Sequence, residues 1–95
     1  MTLTEAKTNA ENLQHLKGQM LNGKKVRTII PAPYHMDKQF AEFLKQAVWT
    51  NNIDIAAFYS GAKEFDVLII WETSNKQVLN TAYYFDLFPE NRNKD

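Results

Sequence analysis

Residues 67–71, Val-Leu-Ile-Ile-Trp, form an unbroken apolar run closed by Asp66 and Glu72. A strand with one wet face alternates apolar and polar side chains, whereas a strand covered on both faces has no reason to. Residues 66–72 are therefore expected to be the central strand of a sheet, with other elements arranged to cover both of its faces.

Two further strands and three helices are predicted around it. Residues 25–30, Lys-Val-Arg-Thr-Ile-Ile, read as a strand with Lys25, Arg27 and Ile29 on one side and Val26, Thr28 and Ile30 on the other. Pro31 and Pro33 are expected to end it, since neither has a backbone donor for the ladder. Residues 53–59 read as another strand, joined to the central one by a short loop over 60–64 that contains Gly61. A first helix is predicted over 3–22. Thr2 and Glu5 stand at capping-box spacing, Ala6, Ala10, Leu13, Leu16 and Met20 keep a helical step, and Gly23 supplies the stop. Its apolar stripe is thin at the start, so the helix start within residues 1–12 is expected to fray unless something else covers it. A second helix over 36–50 presents Phe40, Leu44, Ala47 and Val48, flanked by Phe43, against a wet face of Lys38, Gln39, Glu42, Lys45 and Gln46. A last helix is predicted over 75–88, from a Ser74–Gln77 capping pair to Pro89, with Val78, Leu79, Ala82, Tyr83 and Phe85 inward. Residues 90–95 form a polar tail.

The element order is helix, strand, helix, strand, strand, helix. A helical crossover makes the first two strands parallel, and a hairpin makes the last two antiparallel. The expected fold is α+β: a three-stranded mixed sheet in the order 1-3-2, a split βαβ or half-ferredoxin-like arrangement packed against helices. Strand 25–30 is then an open edge unless the first helix or another chain covers it.

Length and composition narrow the function. A chain of 95 residues and 11.0 kDa is read as one domain. Its 44% hydrophobic content and zero formal net charge are those of a globular protein, not a disordered one. Without cysteine there is no disulfide or thiolate chemistry, and with two histidines a zinc site would lean on carboxylates. No apolar run approaches the roughly 18 residues a membrane helix needs, and the N-terminus shows no export pattern, so a cytoplasmic location away from membranes is expected. Zero net charge argues against a strongly basic nucleic-acid binder. It conceals a polarity: residues 1–45 carry seven basic and four acidic side chains, residues 46–95 four and seven.

Three clusters could carry function. Parallel strands 25–30 and 53–59 would share a rim holding Tyr34, His35, Asp37, Tyr59, Ser60, Lys63, Glu64 and Asp66. A histidine beside a carboxylate there could do acid–base chemistry, and ordinary loop polarity explains the same residues. His15, among Asn12, Gln14 and Gln19, reads as a solvated helix residue. Lys24, Lys25 and Arg27 form the one dense basic spot, which could meet phosphates or simply protect an edge strand. All twelve aromatic residues lie from Tyr34 onward, and Tyr83, Tyr84, Phe85 and Phe88 crowd the last predicted helix. Three adjacent aromatics span roughly 200° of a helix. Tyr84 is therefore expected to be exposed or covered by another element, and tyrosine is a common interface anchor.

The expected function is a small non-catalytic module that occupies a partner protein. Regulators and inhibitors carried by phages or mobile elements, the anti-CRISPR class among them, are chains of this size. The expected partner-binding residues are Lys24, Lys25, Arg27, Tyr34, His35, Tyr83, Tyr84 and Phe88, and no catalytic residue, metal ligand or cofactor is assigned. A homodimer would use the same features. The alternatives are a small enzyme with a rim site around His35 and Asp37, and a weak nucleic-acid binder through Lys24, Lys25 and Arg27.

Overall fold

A computed structural model describes residues 1–35, 38–49, 62–74 and 80–91. Helix α1 spans Leu3–Asn12, a 3₁₀ turn Gln14–Leu16, strand β1 Met20–Leu21 and strand β2 Lys24–Pro33. Helix α2 spans Lys38–Trp49, strand β3 Phe65–Trp71, strand β4 Asn80–Tyr83 and helix α3 Tyr84–Leu87, before a last 3₁₀ turn, Pro89–Asn91. The fold is α+β, as expected. The described strands form one sheet in the order β1-β2-β3-β4, antiparallel throughout.

Strand β3 lies inside this sheet, and all seven of its residues are buried. On one face Leu68 and Ile70 join Ile30 and Ala32 of β2 beneath Phe40 and Leu44 of α2, with Tyr83 packed alongside. On the other face Val67, Ile69 and Trp71 join Val26 and Ile29 beneath Ala10 of α1 and Phe85 of α3. The unbroken apolar run thus serves two cores at once, each large aliphatic side chain contributing about 2 kcal/mol of burial.

The order 1-3-2 does not hold. The expected antiparallel neighbours, strand 25–30 and the central strand, are paired, but the other flank of β3 is taken by β4, where Tyr83 faces Leu68 and Asn80 faces Trp71. Residues 80–83 therefore belong to a strand, not to a helix over 75–88, and helical structure begins only at Tyr84. A fully buried strand must satisfy its backbone groups on both edges, and that demand outweighs the local preference of Asn80-Thr81-Ala82-Tyr83. The predicted strand 53–59, and residues 75–79 of the predicted helix, lie outside the described residues.

The first helix is shorter than its periodicity suggests. It starts at the Thr2–Glu5 capping box and ends at Leu13. Its alanines bury more than an apolar count implies: Ala6 and Ala10 are both buried, their small side chains letting the helix approach the sheet closely. Gly18, Asn22 and Gly23 all have positive φ, at 79°, 54° and 79°. Consecutive left-handed residues at Asn22-Gly23 make the type I′ turn that closes a two-residue hairpin between β1 and β2. Gly23 is thus a hairpin turn, not a helix stop.

Strand β2 departs from its expected form in two ways. A bulge between Val26 and Thr28 interrupts the alternation. Val26 and Ile29 consequently share one core while Ile30 enters the other. The strand also continues through Pro31 and Pro33. The Tyr34 amide donates to the Glu64 carbonyl, which places even-numbered β2 residues on the hydrogen-bonding positions opposite β3. Ile29, Pro31 and Pro33 then direct their backbone groups away from β3. The missing proline donors fall on the outer edge, where the β2–β3 ladder does not need them.

Candidate functional site

The end of β2 and the start of α3 meet in an aromatic rim. Tyr34 and His35 follow β2 directly, and Tyr83 and Asp86 arrive from the β4–α3 junction. The Tyr34 ring lies 4.1 Å from the His35 ring and 4.8 Å, edge-on, from the Tyr83 ring. Its hydroxyl donates to the Asp86 carboxylate at 2.8 Å. The Tyr83 hydroxyl donates in turn to the Pro33 carbonyl. Tyr34 and Tyr83 are partly buried, and His35 and Asp86 are exposed.

His35 adopts φ 58°. Outside glycine this left-handed region costs about 1 kcal/mol, although histidine is enriched there. Such strain persists where surrounding structure holds it, and the His35 ring lies tilted against the Tyr34 ring. Asp37, Tyr59 and Ser60 of the expected rim lie outside the described residues. Lys63 and Glu64 are exposed beside β3, whereas Asp66 is buried and accepts the Val67 amide at 2.8 Å. Asp66 is therefore part of the sheet's own hydrogen bonding. His15 is exposed on the 3₁₀ turn, with Nδ1 3.1 Å from the Asn12 carbonyl.

Tyr84 and Phe88 form a second aromatic group next to the rim. The Tyr84 ring is 5.0 Å from Phe85, edge-on, and 5.0 Å from Phe88. The change from strand to helix at Tyr83–Tyr84 resolves the crowding foreseen for a continuous helix. Tyr83 packs on the core under α2 and Tyr84 on the core under α1. Asp86 was the member of the rim that no spacing pointed to. It belongs to the rim only because residues 80–83 pair with β3 and carry α3 to the end of β2.

The basic residues are dispersed by the hairpin. Lys24 faces Leu21 and Lys25 faces Met20, so their side chains lie on opposite faces. The Lys24 ammonium sits 5.8 Å above the Trp71 ring, whose Nε1–H donates to the Leu21 carbonyl at 3.0 Å. Lys25 pairs loosely with Glu72 at 3.9 Å, and Arg27 is partly buried beside the bulge. Among the described residues no cluster of three histidines or carboxylates forms a metal site, and no helix is long and apolar enough to cross a membrane.

Comparison with protein-family models, with curated proteins and with solved structures yields no match to this chain, so its own side chains must carry the functional reading.

Proposed function

We propose that this chain is a non-catalytic protein-binding module that works in the cytoplasm by occupying a partner protein, in the manner of small regulators and inhibitors carried by phages and mobile elements. One observation carries the reading: Tyr34 is held by His35, Tyr83 and Asp86 before any partner arrives, yet is not enclosed by them. An aromatic side chain fixed in advance loses little conformational freedom on association. Tyrosine is also among the residues that most often dominate binding energy. The strained backbone of His35 beside it is further support, since strain of this kind concentrates at functional sites.

The test captures partners from cell lysate with wild type and with Tyr34→Ala and His35→Ala, each variant first shown to be folded by circular dichroism. Affinity for the captured protein is then measured by calorimetry. The expected result is one protein held by wild type and weakened by about 2 kcal/mol in Tyr34→Ala. Equal affinity in all three chains would remove the rim from the interface. Recovery of nucleic acid, with binding that falls steeply as salt is added, would favour a phosphate-directed function.

A further inference from the structure

We infer that the outer edge of β2 is closed to strand addition, so that neither a second copy of this chain nor an extended peptide can lengthen the sheet at residues 29–33. An edge strand recruits partners through its outward N–H and C=O groups. Nearer the turn those groups are used internally: the Val26 amide donates to the Gln19 carbonyl, and the Gly18 amide donates to the Val26 carbonyl, both at 2.9 Å. Beyond the bulge the outward residues are Ile29, Pro31 and Pro33. The two prolines supply no donor. The Gln14 carboxamide donates to the Ile29 carbonyl at 3.0 Å and is anchored at 2.8 Å on the Ala10 carbonyl. The Tyr83 hydroxyl occupies the Pro33 carbonyl.

Ile29, Pro31 and Pro33 have three N–H and three C=O positions between them. Two donors are missing and two acceptors already carry a hydrogen bond, so four of the six are absent or engaged before a new strand arrives. Geometry reinforces the chemistry. Lys7, Ala10, Glu11 and Gln14 of the α1 region line a shallow groove of about 300 Å³ with Ile29, Ile30 and Pro31, so a strand laid along this edge would have to share the groove with α1 and Gln14. Gln14 acts here as a one-residue substitute for a neighbour strand, since none of the described strands lies beside residues 29–33 on this edge. Of the two covers expected for this edge, the first helix region or another chain, the observed contacts are those of the first. The backbone of residues 29–33 is then not where a partner is recruited, and the inference holds whether or not the rim is an interface.

The experiment is an amide NMR and light-scattering dilution series on wild type and on the double variant Gln14→Ala, Pro31→Val. That variant frees the Ile29 acceptor and restores a donor at position 31. In wild type the Ile29, Ile30 and Ala32 amide shifts are expected to stay constant at every concentration. In the variant the mass should rise towards a dimer as concentration increases, with the amides at positions 29 and 31 gaining protection from exchange. Association through another surface would move other amides and leave these still. Concentration-dependent shifts at residues 29–32 in wild type would overturn the inference. So would a folded variant that keeps the wild-type mass. If the variant does not fold, the wild-type series alone decides.

Discussion

The Tyr34 hydroxyl lies 2.8 Å from Asp86 Oδ1 and 3.0 Å from Oδ2, joining the end of β2 to α3 across 52 positions of sequence. A hydrogen bond to a charged but exposed acceptor contributes about 1 kcal/mol. Tyr34→Phe keeps the ring against His35 and Tyr83 and removes only this bond. It should lower unfolding free energy by about 1 kcal/mol in urea denaturation. Asp86→Asn combined with it in a double-mutant cycle should reveal coupling between the two sites; strict additivity would show that the contact is energetically idle.

Leu68 is fully buried between Ile30 and the Tyr83 ring side of the sheet, on the strand that serves both cores. Leu68→Ala deletes buried carbon where neighbouring strands prevent collapse, and should cost about 3 kcal/mol. Urea denaturation measures it. A loss under about 1 kcal/mol would mean that the site is not a rigid core position.

Thr28 is buried, and its Oγ1 has no hydrogen-bond partner among the described residues. Such a hydroxyl costs free energy that a methyl group of nearly the same shape does not. Thr28→Val should therefore raise stability by about 1 kcal/mol, read as a higher urea midpoint at unchanged slope.

Gly23 holds φ 79° at the second position of the hairpin turn. A Cβ there meets no neighbour within 4 Å among the described residues, so the effect of Gly23→Ala is expected from the backbone. The left-handed conformation should cost about 1 kcal/mol. Loosening of the hairpin should also disturb the bond from Trp71 Nε1 to the Leu21 carbonyl, seen as a shift in tryptophan emission.

Glu5 is held below the usual glutamate range, first by the Thr2 amide that donates to its carboxylate at 2.8 Å and then by the Thr2 side chain. A lowered folded value means that the capping contribution is present above the ordinary glutamate value and is lost as pH falls through the folded one. The Glu5 carboxyl should titrate below an exposed glutamate by NMR. Thr2 amide exchange should rise over its intrinsic rate in the same acidic window, and a normal Glu5 midpoint would contradict the capping box.

Local signals located several parts of the fold. The Thr2–Glu5 pair marks the start of α1, and the Phe40–Leu44 spacing marks the buried face of α2. Asn22-Gly23 was equally legible as a hairpin signal, but the helical step from Ala6 to Met20 obscured it, because Gly23 also suits a helix stop. The bulge at Val26–Thr28 left no such mark, and it alone decides that Val26 and Ile29 share a core. Of the rim, Tyr34, His35 and Tyr83 were foreseeable as residues; their meeting with Asp86 was not.

The amino-acid order by itself determined that residues 67–71 would be interior, because five consecutive apolar side chains can be hidden only from both sides. It also determined the antiparallel match of that strand with the segment beginning at Lys25. Tertiary structure decided that Asn80–Tyr83 would be a strand and that β2 would run on through two prolines. The reason is common to both. Side-chain periodicity reports which faces are dry, but backbone donors and acceptors are satisfied across the ladder, and only the assembled sheet shows which edge of each residue has to be paired.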